Sequence, residues 1–247
     1  MCIELSLAVR MLCTNMTYLL RVSGLTSFIF FVAIMAGCGQ GDRFSAGSYD
    51  VERPLIEPDR TVSKPKIIAF GDSLTAGFGL SENESYPYLL QERLKADGYD
   101  FEVINAGVSG DTSLGGLERA DWVLDQDAAK VLILALGAND LLRGMPVDRM
   151  KKNLAEIISK AKKRDMKVLL CGMLAPPTMG NAYQRDYNNA FADLADEFGT
   201  AFLPFMLEGV AMEKELNQAD GIHPNAEGTR QMVENIYKEL KPILESR

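Results

Sequence analysis

From residue 66 onward, short apolar runs rich in β-branched residues alternate with longer stretches whose apolar residues recur every three or four positions. The runs at 66–70, 102–105, 131–136, 167–171 and 201–205 have the length and composition of strands. The stretches 86–96, 117–124, 147–164 and 182–198 have the period of helices, and a last helix is expected from about residue 225 to 240 with Pro224 at its first turn. Strands and helices in strict alternation imply right-handed βαβ units, and therefore a parallel sheet covered by helices on both faces. The expected fold is α/β: a three-layer α/β/α sandwich on a five-stranded parallel sheet of flavodoxin-like order 2-1-3-4-5. In such a sheet ligands bind beyond the carboxyl ends of the strands, near the point where the strand order reverses.

Before residue 66 the pattern is different. Arg21 precedes an apolar run at 25–35, which is followed by Met35-Ala36-Gly37-Cys38. The run is shorter than the roughly 20 residues of a transmembrane helix, and small residues before a cysteine resemble the lipobox of bacterial lipoproteins. The expectation is a signal peptide of the lipoprotein type at 1–37, a lipid on Cys38, a flexible tether at 38–65 rich in Gly, Ser, Asp, Glu and Pro, and a catalytic domain at 66–247. An uncleaved N-terminal anchor is the alternative. Either way the domain faces away from the cytoplasm, in the bacterial envelope on the periplasmic side, with the membrane as partner through its N-terminus.

Composition narrows the classes further. The chain has 247 residues, 47% of them hydrophobic, which is enough for a sizeable core. A formal net charge of -8, with no stripe of arginines and aromatics, gives nucleic acid no footing. The four cysteines, at 2, 13, 38 and 171, form no CxxC pair and predict neither a disulfide framework nor a zinc site.

Candidate chemistry lies just after the strands. Phe70-Gly71-Asp72-Ser73-Leu74-Thr75-Ala76-Gly77 places a serine at a strand-to-helix turn, where its hydroxyl and its own N–H can face a bound carbonyl. A plain Gly/Ser turn has the same composition. The loop lacks both GxGxxG and the lysine of a phosphate-binding loop. After the second strand, Gly107 in Asn105-Ala106-Gly107-Val108-Ser109-Gly110-Asp111-Thr112 offers a second N–H. After the third, Asn139 in Leu136-Gly137-Ala138-Asn139-Asp140 offers a neutral amide, or serves as an ordinary turn residue. The order 2-1-3-4-5 brings these three loops together. The chain has a single histidine, in Asp220-Gly221-Ile222-His223-Pro224-Asn225, so a histidine base for Ser73 can only be His223. Asp220, three residues earlier across a glycine, can reach Nδ1–H and leave Nε2 free for the serine proton. The competing reading is a helix-capping surface histidine. A metal site is disfavoured because one His and one Asp do not make a ligand set.

Ser, Asp and His follow the chain order of α/β-hydrolases, but the GxSxG elbow is missing and Asp220 and His223 are almost adjacent. The four blocks Gly71-Asp72-Ser73-Leu74, Gly107, Gly137-Ala138-Asn139-Asp140 and Asp220-Gly221-Ile222-His223-Pro224 resemble those of the GDSL or SGNH hydrolases over about 66–244. Within them the chain is similar to the bacterial periplasmic multifunctional acyl-CoA thioesterase, lysophospholipase and arylesterase group, with Ser109-Gly110-Asp111-Thr112-Ser113, Leu141-Leu142-Arg143-Gly144 and Leu203-Pro204-Phe205 adding to the likeness. Ala138 departs from the glycine common in that group. The resemblance implies the SGNH fold and a serine esterase acting on a small-molecule acyl ester or thioester without cofactor. It makes Ser73 the nucleophile and the Ser73 N–H, Gly107 and Asn139 the oxyanion donors. Deacetylation of an envelope carbohydrate, or a noncatalytic lipoprotein that binds a partner, are the alternatives.

Overall fold

A computed structural model describes residues 63–246. The expected signal peptide at 1–37, Cys38 and nearly all of the expected tether at 38–65 lie outside the described residues. The described elements run β1 (Lys66–Gly71), α1 (Ser73–Ala76), α2 (Tyr86–Ala96), β2 (Glu102–Gly107), α3 (Ser113–Leu124), β3 (Ala129–Ala135), α4 (Ala138–Leu142), α5 (Val147–Lys162), β4 (Lys167–Cys171), α6 (Asn181–Phe198), β5 (Ala201–Leu203) and α7 (Ala226–Glu245). All strand pairs are parallel and the order is β2-β1-β3-β4-β5, as the alternation predicts.

Because successive side chains of a strand point to opposite faces, strands buried on both sides must be apolar throughout. Ile68 and Phe70 of β1, Leu132 and Leu134 of β3 and Leu170 of β4 face one way, onto α3, α5 and α6 through Leu124, Leu154, Ile157 and Phe191. Ile67, Ala69, Val131, Ile133 and Leu169 face the other way, onto α2 and α7 through Leu90, Leu94, Val233, Ile236 and Leu240. The register aligns Gly71 of β1 with Gly107 of β2 on one side and with Ala135 of β3 on the other. Three strands therefore end level, and the loops that leave them meet above the same edge.

Several boundaries differ from the expected ones for local reasons. α3 begins four residues early because Thr112 caps it, its side chain accepting from Gly115 N–H, while the Ser113 N–H is held by Asp140. Two glycines hide this first turn from periodicity; at Gly116 the missing Cβ leaves room for the end of the Leu136 side chain, 2.2 Å from where a Cβ would lie. β5 stops at Leu203 because Pro204 has no N–H to give a ladder. Pro224 sits outside α7, one residue before the capping Asn225, whose side chain accepts from the Glu227 and Gly228 N–H groups.

Candidate active site

The end of β1 is sterically tight. A Cβ on Gly71 would lie 2.0 Å from Thr75 Oγ1 and 2.7 Å from the Ala135 carbonyl, so only glycine lets β1 turn into α1 here. Asp72 caps that helix by accepting from Leu74 N–H at 3.1 Å. It is almost completely buried, and burial pushes its carboxyl up to about 6, with the Leu74 N–H working in the opposite direction. Ser73 is the first helical residue, a position whose N–H has no carbonyl to bond within its own helix. Gly77 closes the single turn in the left-handed conformation.

The β2 end corrects the expected role of Gly107. Its N–H donates to Asn105 Oδ1 at 2.9 Å, so it is already engaged. What requires glycine is packing: a Cβ would fall 2.2 Å from the Ala76 nitrogen, so Gly107 lets the α1 backbone sit on β2. Gly110 is different. It lies at the tip of the turn closed by Asp111 N–H donating to the Val108 carbonyl, has φ of +86°, and among the described residues its N–H makes no hydrogen bond. Two sequence signals foreshadow the exchange: Asn105 can bond a backbone N–H two residues on, and Gly110-Asp111 is a turn pair.

Asn139 lies in the first turn of α4, and its amide donates to the Asp111 carbonyl at 3.0 Å and to Asp72 Oδ2 at 3.3 Å. It thus joins the loops after β1 and β2, as expected of a residue in the shared crevice. Three further residues that periodicity did not single out hold these loops. Buried Asp140 accepts from the Ser113 N–H and hydroxyl, both at 2.7 Å, and Asn153 donates to that hydroxyl at 3.0 Å. Arg119, midway along α3, donates to Asp111 Oδ2 at 2.6 Å, to the Ala106 carbonyl at 2.8 Å and to the Gly71 carbonyl at 3.0 Å, with its guanidinium 4.4 Å from the Phe70 ring centroid.

The fourth loop comes from 150 residues further along. Asp220 Oδ1 accepts from the N–H groups of Ile222 and His223 at 3.0 and 3.1 Å, and Oδ2 lies 2.7 Å from His223 Nδ1. The imidazole bond, then those backbone N–H bonds, hold its carboxyl down at about 2. Gly221 makes the turn possible with φ of +74°. With Nδ1 donating to the carboxylate, Nε2 is an acceptor, and it lies 2.9 Å from Ser73 Oγ. Phe78 covers the imidazole at a centroid distance of 4.7 Å.

A hydroxyl, an imidazole and a carboxylate in bonded sequence at the carboxyl edge of a parallel sheet define a serine hydrolase. Residues 69–231 match the GDSL-like Lipase/Acylhydrolase family, and the chain belongs to it. It is 40% identical over 178 residues to the esterase TesA of Pseudomonas aeruginosa, covering 72% of this chain and 89% of that protein. It is 31% identical over 185 residues to the thioesterase 1/protease 1/lysophospholipase L1 of Escherichia coli strain K12, covering 75% and 88%. Among solved structures, that of TesA aligns with a TM-score of 0.70 at 39% identity over 72% of this chain and 99% of that one. The psychrotrophic esterase EstA from Pseudoalteromonas sp., inhibited by monoethylphosphonate, aligns with a TM-score of 0.70 at 31% identity, covering 74% and 100%. The chain is accordingly a serine hydrolase of ester bonds.

Proposed function

We propose that Ser73, His223 and Asp220 hydrolyse carboxylic esters and thioesters of small acyl substrates through an acyl-enzyme. The observation that carries this reading is the pair of contacts Ser73 Oγ to His223 Nε2 at 2.9 Å and His223 Nδ1 to Asp220 Oδ2 at 2.7 Å. Ser73 Oγ attacks the carbonyl carbon while its proton passes to Nε2. The tetrahedral intermediate collapses, the C–O or C–S bond breaks, and the imidazolium returns the proton to the leaving alcohol or thiol. Water then attacks the acyl-serine, giving its proton to Nε2; the acid departs and Ser73 Oγ recovers the proton. Asp220 fixes the tautomer and offsets the imidazolium charge.

The negative oxygen of the intermediate needs donors placed before it forms. In this reading they are the Ser73 N–H, Asn139 Nδ2 and, in place of Gly107, the Gly110 N–H. The long 3.3 Å bond from Asn139 to Asp72 is the one that a substrate oxygen displaces. Residues 1–37 direct the chain to the bacterial envelope, and a lipid on Cys38 holds the domain facing the periplasm. Support for this anchor is the run of Arg21, the apolar stretch 25–35 and Met35-Ala36-Gly37-Cys38.

The catalytic reading is tested by treating the full chain with a phosphonate ester and digesting it. A phosphonyl group on Ser73, with loss of ester and thioester hydrolysis in proportion, is expected; labelling elsewhere overturns the assignment. The anchor is tested by mass spectrometry of membrane-extracted protein, where an unmodified Cys38 removes it.

A further inference from the structure

The base loop is exposed along Asp220, Gly221 and Ile222, yet it must hold His223 within hydrogen-bond reach of a serine on another element. Its own bonds do not do this. The Asn217–Pro224 bridge and the Asn225 N–H to Leu216 carbonyl bond tie the loop to the segment just before it, and Asp220 ties it to itself. Apart from Ser73–His223, the hydrogen bond among the described residues that joins the base loop to the turn after the nucleophile helix is made by Gln218.

Gln218 reaches both sides at once. Its main-chain N–H donates to the His223 carbonyl at 2.8 Å, and its side-chain Nε2 donates to the Pro224 carbonyl at 2.9 Å and to the Phe78 carbonyl at 2.7 Å. Phe78 in turn donates its N–H to the Ser73 carbonyl at 3.1 Å and lays its ring against His223. Two carbonyls converging on one amide atom require that atom to be the NH2, which neither a carboxylate nor a shorter side chain supplies there. The other amide atom, Oε1, lies against Gly79, which has φ of +75° and where a Cβ would fall 2.2 Å from that oxygen. The turn is therefore shaped to admit this side chain.

We infer that Gln218 is a positioning residue that sets the distance between Ser73 and His223, linking the base loop to the nucleophile turn without touching substrate. This rests on the catalytic roles proposed above. A misplacement of about 1 Å between reacting groups can cost about a hundredfold in rate, so partial loosening of this link is expected to cost about tenfold in kcat.

The test measures kcat, KM and thermal unfolding for full-length Gln218→Ala, Gln218→Glu, Gly79→Ala and Gly79→Ala/Gln218→Ala on a p-nitrophenyl ester, with Ser73→Ala as control. Gln218→Ala should lose about tenfold in kcat with KM within about twofold and an unchanged unfolding midpoint, as misalignment predicts. Gln218→Glu, of equal shape but with a carboxylate facing two carbonyls, should be no better. Gly79→Ala should push the amide aside and give the same loss, and adding it to Gln218→Ala should cost less than about twofold more, because both break one link. Wild-type kcat in Gln218→Ala or Gln218→Glu, losses that multiply in the double variant, or a defect confined to KM would each overturn the inference. If Gln218→Ala does not fold, Gln218→Glu and Gly79→Ala decide it by the same criteria. An active Ser73→Ala would instead overturn the catalytic roles, whereas an inactive Ser73→Ala beside a fully active Gln218→Ala overturns this inference alone.

Discussion

The two ends of the Ser73–His223 contact are built by opposite means. Around Ser73 the chain is buried and sterically closed: Gly71 and Gly107 admit no Cβ, Asp72 is dry, and the Arg119 fork ties the ends of β1 and β2. Around His223 the chain is wet, and its shape comes from hydrogen bonds to Asp220, Asn225 and Gln218. One residue type records the difference. The Asp72 carboxyl is raised by burial and the Asp220 carboxyl is lowered by the bonds it accepts. A serine held by packing keeps its place, whereas an imidazole held by polar contacts keeps its orientation as long as each contact survives.

The largest expected effect removes either side of the Ser73–His223 pair. Ser73→Ala or His223→Ala should lower turnover by at least about 10⁴-fold with unfolding unchanged, because members of one catalytic unit fail together. Turnover within about tenfold of wild type in either variant sinks the triad, given the far larger losses typical of such units.

Next is Asn139→Ala, which keeps both ends but removes an amide from the crevice between them. A loss in kcat of about 10²- to 10³-fold is expected for one oxyanion donor. Unchanged kcat would leave Asn139 as a brace between Asp72 and Asp111.

The two carboxylates give a sharper comparison in stability against pH. Asp72 has a folded value near 6 against an ordinary 3.8, so between those limits the folded state holds more protons than the unfolded one. Stability is fully present below about 3.8 and is lost as pH rises through about 6, by up to about 3 kcal/mol. Asp72→Asn should therefore gain on wild type as pH rises from about 4 to about 6. Asp220 has the opposite sign: its contribution is present above the ordinary 3.8 and fades as pH falls toward about 2, discounted for its exposure. Asp220→Asn should run parallel to wild type between about 4 and 6. Denaturant midpoints across that window check both, and parallel curves for Asp72→Asn would show that its site is not dry.

The smallest effect is Arg119→Lys, which keeps the charge but loses the fork that spans Asp111, Ala106 and Gly71. A loss of about 2 kcal/mol is expected. Wild-type stability in urea would mean that water satisfies those three acceptors as well as the guanidinium does.

Much of this was legible in the residues. Runs such as 131–136 are apolar at every position because a central parallel strand is covered on both faces, and β3 spans Ala129–Ala135. Where periodicity was interrupted by glycines, as at Gly115 and Gly116, the start of α3 was missed, because the helix there is held by a cap and by Asp140 rather than by its own apolar stripe. The short helices α1 and α4 carry no readable period, and both exist to present a residue at a strand end.

By itself the sequence determined the class of fold, the one possible histidine and the carboxylate that turns back onto it, since each depends on spacings of a few residues. Which glycine N–H stands free was foreshadowed locally by Asn105 two residues before Gly107, but the need for glycine at 107 was decided by tertiary structure, because the α1 backbone packs on Gly107 whereas Gly110 tips an open turn. The same is true of Arg119 and Gln218. Their partners, Gly71 and Ala106 for the first and Phe78 for the second, are set by strand order and register across as many as 140 residues, and no local pattern encodes distances between loops that the folded sheet brings together.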